Sequence, residues 1–290
     1  MSIPTAPLIT DLKMENGFLY IAIGKRYLLE AQISARSLRR FTKHPICIIT
    51  DEANFTSPLF DIIIHENMPA DFVSKIIGIK KTPFQKTIYL DSDTFICAPI
   101  DQLFKILDLF DMAMTIDRYN HSYGFLQHYN ASFQLKFENV LPEYHTGLIV
   151  YGDSQPVKGL INDWLELHQQ MNVKADMPSF REAFIKNATT VRIAPLPFEY
   201  NYFGTLSFGF AYNEIKIFHE RLGERWNTLT TLMLPFEKMD KKARMMNKYH
   251  YKRIIIPYFG VIPYRYSPYI IKHKLKRLLG IKKTKKAETF

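Results

Sequence analysis

The sequence predicts an α/β protein with a mostly parallel central sheet flanked by helices, and three observations predict it. Short apolar runs, FLYIAI within residues 17–23, PICIIT at 45–50 and FDIII at 60–64, have the length and Ile content of buried strands. Between the first two runs, residues 27–41 place Leu28, Leu29, Ala31, Ile33, Ala35 and Leu38 on one helical face. Strand, helix, strand in that order begins a parallel sheet with right-handed crossovers. The third observation is residues 86–99, KTIYLDSDTFICAP, where an apolar run delivers Asp91, Ser92 and Asp93 and then turns apolar again. Ligands of such sheets lie beyond the carboxyl ends of the strands. Ala22, Ile23, Tyr27, Asp51 and the Asp-Ser-Asp turn are therefore expected on one rim.

The rest of the chain fits the same alternation. Residues 1–16 read as a loose leader. Residues 71–81 form a helix stopped by Pro83 and carrying Lys75, and residues 100–107 a short helix after Pro99. Residues 110–116 are a strand, and 118–143, aromatic and His-rich without a clean period, an insertion over the site. A strand at 146–151 precedes a helix at 156–170, in which Leu160, Ile161, Trp164, Leu165 and His168 recur at helical spacing, with Trp164 read as core. A helix at 179–186, a strand at 191–194 and a strand at 215–218 ending at His219 follow. Residues 1–236 are read as one catalytic domain and 237–290 as a basic, aromatic extension.

Composition narrows the function. The 290 residues can bury a proper core, and 47% hydrophobic content suits a globular protein. No apolar run reaches the ~20 residues of a membrane span, and the start lacks a basic-then-apolar leader, so a cytoplasmic protein is expected. The net charge of +10 is concentrated from Lys238 onward. Tyr and Ile interleaved with Lys and Arg there favour peripheral contact with an anionic membrane at its cytoplasmic face over nucleic acid. Cys47 and Cys97 lie in apolar runs and read as buried thiols. The absence of a compact His/Cys set, of Gly-x-Gly-x-x-Gly and of a Walker lysine loop argues against zinc hydrolase, dinucleotide and P-loop chemistry.

Two acids at i and i+2 on a strand point the same way and meet one cation; the other reading is a turn with two solvated acids. A hard ion such as Mn²⁺ or Mg²⁺ accepts carboxylate and phosphate oxygens together, which suits Asp91 and Asp93 to a nucleotide diphosphate. His219 is either structural or the third ligand that such a pair lacks. Arg225 is an exposed arginine or a charge partner of a leaving diphosphate, and Lys75 a solvated charge or a phosphate and sugar contact. Asp176 either caps the helix after Pro178 or aims its carboxylate at a donor sugar. Tyr27 stacks on a base or fills the core.

Taken together these patches, spanning about residues 17–226, resemble the GT-A nucleotide-sugar glycosyltransferases. The resemblance is to the retaining family that includes glycogenin and bacterial lipopolysaccharide galactosyltransferases. IAIGKRYLLEAQISARSLRR is similar to its first strand and helix, VSKIIGIKKTPFQKTIYLDSDTFI to its lysine helix and metal strand, and TGLIVY to its Asn-Ser/Thr-Gly strand. ADMPSFREAF resembles its Asp-Gln helix start, LPFEYNYF its Leu-Pro-x-x-Tyr-Asn segment, and IKIFHERLGERW its final histidine strand. The resemblance implies a Rossmann-like GT-A fold with a basic C-terminal extension. It implies a nucleoside held by Ala22, Ile23 and Tyr27, with Asp51 on the same rim. Donor contacts would come from Lys75, Asp91, Ser92, His145, Thr146, Gly147 and Asp176, a Mn²⁺ or Mg²⁺ ion would sit on Asp91, Asp93 and His219, and Lys75, Asp176 and Arg225 would act as catalytic groups.

The implied reaction moves a hexose from a nucleotide-diphosphate sugar, UDP-sugar foremost, with retention, to a glycan, glycolipid or protein acceptor. His145 stands where the family has asparagine, Met177 where it has glutamine, and the glycine after His219 is displaced by one residue, so the donor sugar is not carried over. Two other readings compete. A nucleotidyltransferase of related fold would carry a Gly-rich basic loop, for which GKRY is short; a catalytically degenerate relative would bind membrane or nucleic acid through the basic tail.

Overall fold

The computed structural model describes residues 13–117, 136–137, 140–202, 213–219, 233–250, 253–256 and 260–263. Most of the expected insertion at 118–143, Arg225 and the tail after residue 263 lie outside these residues.

The chain enters through β1 (Met14–Ala22), crosses by α1 (Lys25–Leu38) to β2 (Ile46–Thr50), and continues to β3 (Ile62–His65). α2 (Phe72–Lys80) returns it to β4 (Phe84–Leu90). After the Asp91-Ser92-Asp93 turn come β5 (Thr94–Ile96) and a 3-10 helix (Asp101–Asp108), where the sequence predicted a short helix. β6 (Met112–Asp117) and β7 (Glu143–Gly152) precede α3 (Gln155–Met171) and α4 (Met177–Lys186). β8 (Ile193–Leu196), β9 (Ile217–His219), α5 (Phe236–His250), β10 (Arg253–Ile256) and β11 (Gly260–Pro263) complete the described elements.

Seven strands form one sheet in the order β3-β2-β1-β4-β7-β6-β8. β1, β2, β3 and β4 run parallel, and β6 pairs parallel with β8, but β7 is antiparallel to both β4 and β6. This mixed, mostly parallel sheet has helices on both faces.

Strand periodicity divides the core. Phe18, Tyr20 and Ala22 of β1 join Leu28, Ala31, Ala35 and Leu38 of α1 and Leu103 and Phe104 of the 3-10 helix in one cluster. Leu19, Ile21 and Ile23 join Ile76 and Ile79 of α2, Leu160 and Trp164 of α3 and Phe180 of α4 in another. Alternate side chains point to opposite faces, so a strand buried on both faces must be apolar at nearly every position, and FLYIAI is. Trp164, expected in the core, is 1% exposed there.

A separate two-stranded ribbon pairs β5 with β9, antiparallel, with Thr94 opposite His219. A third cluster lies on it, in which Phe95 and Phe218 meet Met239 and Ala243 of α5. Asn247 of α5 accepts from the Ile215 amide at 3.0 Å and donates to the Ile215 carbonyl at 3.1 Å. Among the described residues no helix is long and apolar enough to cross a membrane.

Candidate metal and donor site

The Asp91-Ser92-Asp93 segment leaves β4 as a tight turn rather than as more strand. The Thr94 amide donates to the Asp91 carbonyl at 3.2 Å, and the Thr94 hydroxyl donates to the same oxygen at 2.8 Å. That carbonyl can only accept, so the buried hydroxyls behind it point one way. Ser34 donates to Thr94 at 2.8 Å, and Tyr20 donates to Ser34 at 2.9 Å. The two carboxylates converge because the turn brings them together, at the rim where the sequence reading had put the Asp-Ser-Asp turn.

The antiparallel course of β7 puts its first residues, not its last, at this rim. Leu90 is paired with Leu148, and the Asp91 amide donates to the Gly147 carbonyl at 2.9 Å. His145, Thr146 and Gly147 are thereby fixed beside Asp91. His145 accepts from the Gly147 amide through Nδ1 at 3.0 Å, and its ring meets that of His219 edge to face, centroids 5.0 Å apart. A Cβ on Gly147 would stand 2.0 Å from Cε1 of His219, so only glycine allows the ring this close.

His219, the last residue of β9, closes the cluster. Its Nε2 is 3.1 Å from Oδ1 of Asp93 and 3.5 Å from Oδ2 of Asp91, and its Nδ1 is 2.7 Å from Oδ1 of Asn201. One ligand atom from each of Asp91, Asp93 and His219 lies within 4.8 Å of the others. Burial disfavours the charged imidazole, but Asp93 and Asp91 outweigh it and raise its pKa. Two carboxylates and an imidazole nitrogen facing one point form a donor set suited to a divalent cation.

Lys75, expected as a donor contact, is buried and occupied by the protein. Its Nζ lies 3.0 Å from Oδ1 of Asp91, 2.9 Å from Oδ2 of Asp176 and 3.4 Å from the Thr146 carbonyl. The rings of Phe72 and Tyr89 flank the amine at 5.7 and 5.6 Å from their centroids. Desolvation opposes its charge, and the Asp176 and Asp91 carboxylates more than compensate, so its pKa is raised. The Tyr89 hydroxyl donates to Oδ1 of Asp91.

Asp176 precedes α4, but its side chain makes no capping bond. Its Oδ2 touches Lys75 off the line of a hydrogen bond and, 3% exposed as a residue, has no hydrogen-bond partner among the described residues. The carboxylate is aimed into the cluster while its backbone carbonyl accepts from Trp164 Nε1 at 3.0 Å. α4 begins at Met177, two residues before the predicted start, with Pro178 in its first turn, where the missing amide does no harm.

The remaining rim residues sit at the neighbouring strand ends. Ala22 and Ile23 are buried, one in each core cluster, so they present backbone to the rim. The Gly24 amide donates to Oδ1 of Asp51 at 2.8 Å, and Gly24 has φ 92°, a backbone region that suits glycine. Tyr27 is 41% exposed, which removes the core alternative. Ser92 is buried, and Arg225 lies outside the described residues. Cys47 and Cys97 are free thiols, each pushed up to about 12 by burial. A cavity of about 290 Å³ opens at the other end of β4 and β7, among Ile79, Lys80, Tyr151, Asp153 and Lys158, and shares no residue with the cluster.

The sequence reading missed Tyr89, Asn201 and Thr115 as site residues. Tyr89 sits in the KTIYLDSD run two residues before Asp91, where strand alternation puts it on the same face, a signal that was available.

The sheet order, the helices on both faces and a ligand rim at the strand ends define a Rossmann-like GT-A arrangement. Neither a protein-family model nor a curated protein sequence matches the chain. Among solved structures, the bifunctional glycosyltransferase WbbM, without ligand, superposes with TM-score 0.51 at 14% identity over 85% of this chain, which spans 52% of that one. Mouse xyloside xylosyltransferase 1 gives 0.49 at 14% identity, covering 75% of this chain and all of that one. The galactosyltransferase LgtC, in complex with donor and acceptor sugar analogues, gives 0.48 at 12% identity, covering 79% and 95%. Of the three, the WbbM superposition supports the fold.

Proposed function

We propose that the protein is a glycosyltransferase that moves a hexose from a nucleotide-diphosphate sugar, UDP-sugar foremost, to an acceptor hydroxyl on a glycan, glycolipid or protein. The observation that carries this reading is the convergence of Asp91, Asp93 and His219 at the ligand rim of a GT-A sheet, with Lys75 and Asp176 against them.

Asp91, Asp93 and His219 would hold a Mn²⁺ or Mg²⁺ ion. Such an ion, when bound, neutralises negative charge on the diphosphate as the sugar bond breaks. Lys75 keeps a positive charge between Asp91 and Asp176 and so fixes the direction of both carboxylates. Asp176 offers a buried acceptor oxygen, suited to a sugar hydroxyl. In the reaction the bond from the anomeric carbon to the β-phosphate oxygen breaks and the acceptor oxygen forms the new one. The acceptor proton goes to the departing nucleoside diphosphate, and the anomeric configuration is retained. Ala22, Ile23 and Tyr27 are assigned to the nucleoside, His145 and Gly147 to the donor's sugar side, and Arg225 to the leaving diphosphate.

The test is a hydrolysis screen of UDP-, GDP- and CDP-sugars with and without Mn²⁺, which needs no acceptor. Metal-dependent release of one nucleoside diphosphate is expected. A degenerate binding protein would give neither hydrolysis nor a metal-dependent thermal shift with any nucleotide, and that outcome overturns the proposal.

A further inference from the structure

We infer that Asn201 is the positioning residue that holds the proton on Nδ1 of His219, so that Nε2 remains the atom presented to Asp91 and Asp93. This rests on the metal reading of the cluster for its consequence, though not for its geometry.

An imidazole presents one nitrogen to a cation only if the other keeps its proton, and the partner of that other nitrogen decides which one it is. Here the partner is a carboxamide, which has an accepting end and a donating end. In the structure its two ends are engaged on opposite sides. Nδ2 of Asn201 donates to the Thr115 hydroxyl at 3.1 Å, and Oδ1 is turned to His219, 2.7 Å from Nδ1. An oxygen there must accept, and Nδ1 must donate.

Three features hold Asn201 in this place. It is 1% exposed, so water does not compete for the contact. Its amide donates to the Phe198 carbonyl at 3.0 Å, closing a 3-10 turn (Phe198–Tyr200). The next residue is zipped onto β9, with the Tyr202 amide donating to Ile217 at 2.9 Å and the His219 amide donating to Tyr202 at 3.0 Å. Thr115 in turn follows the register shift between Met114 and Thr115 on β6. Such irregularities re-aim a side chain, and here the consequence reaches from the seven-stranded sheet through Asn201 to the ribbon that carries His219.

The test uses the full chain and Asn201→Ala, Asn201→Asp and Thr115→Val. In ¹⁵N-labelled protein without metal, the Nδ1 proton of His219 should appear as a slowly exchanging, hydrogen-bonded imidazole resonance, and should be lost to exchange in Asn201→Ala. Mn²⁺ titrated with saturating UDP should bind about 10- to 100-fold more weakly to Asn201→Ala, the usual consequence of removing the partner of a metal-bound histidine. Asn201→Asp restores an acceptor and should recover both signals, while Thr115→Val, which frees the amide to turn over, should fall between. If Asn201→Ala keeps the protected Nδ1 proton, or if Asn201→Asp fails to recover it in a folded protein, the inference is overturned. A wild-type protein that shows the proton but binds no Mn²⁺ overturns the metal reading and leaves the assignment of Asn201 standing.

Discussion

The candidate site has two sides that are built differently. On the sheet side, Asp91 follows β4, Lys75 projects from α2 and Asp176 precedes α4, and all three elements pack into the second core cluster. Their charges close on each other, with Lys75 between two carboxylates. On the ribbon side, Asp93 precedes β5 and His219 ends β9, strands of three residues each outside the main sheet. The ribbon is held by the Tyr20–Ser34–Thr94 hydroxyls, by Asn201 and by Asn247 of α5. Rigidity on the first side comes from a paired charge inside a large core, and on the second from a few directed hydrogen bonds onto a small one. The same kind of substitution should therefore have different consequences on the two sides.

The largest effect is expected at Lys75. Removing a buried cation leaves two carboxylates without their counter-charge, which destabilises by about 3–5 kcal/mol. Lys75→Met should lower stability by that amount in urea unfolding and lose activity with it. A loss under about 1 kcal/mol, within the range of an exposed pair, would mean that Lys75 is not the clamp described.

On the ribbon side the expected loss is in chemistry and not in folding. Asp93→Ala and His219→Ala should each reduce Mn²⁺-dependent nucleotide-sugar hydrolysis by about 10²–10³-fold, roughly 3–4 kcal/mol of transition-state stabilisation. Both should still unfold cooperatively, since the main core is untouched. If either variant retains full activity, the metal assignment fails; if either unfolds outright, the ribbon is a structural element of the fold and the contrast between the two sides is wrong.

The same contrast governs what could be read in the sequence. Strands buried on both faces announce themselves, so β1, β2, β4 and the helical face of α1 were legible from FLYIAI, PICIIT and KTIYL. Asp91 and His219 were legible because each stands where an apolar run stops, and Asp93 because the next apolar run begins after it. The direction of β7 was not, because an apolar run buried on both faces reads the same either way, and that direction decides why His145 to Gly147 lie at the rim. The occupation of Lys75 was hidden for a related reason. Its partners Asp91, Thr146 and Asp176 come from three distant segments, and a lysine on a helix looks solvated until they are assembled. Asn201 carried only its place in LPFEYNYF, with nothing to say that Thr115, 86 residues earlier, would meet its amide.

The smallest predicted effect separates the two sides by pH. His168 lies on α3, on the sheet side, where Nδ1 meets the Ser179 hydroxyl at 3.0 Å. Burial lowers its pKa, opposed by the Asp176 and Asp71 carboxylates and reinforced by Lys75. The native state therefore prefers the neutral ring. Above the unfolded value of about 6.5 both states are neutral and the packing contributes fully. As pH falls below it, the unfolded chain binds a proton that the native state refuses, and stability declines until the native value is reached. Urea unfolding from pH 8 to pH 5 should show wild-type stability falling relative to His168→Gln, which keeps a polar contact to Ser179 but does not titrate. The difference between the two chains cancels every other group. Parallel curves would mean that His168 is as readily protonated in the folded protein as in the unfolded one, and that the α3–α4 interface beneath Asp176 is more open to water than the structure shows.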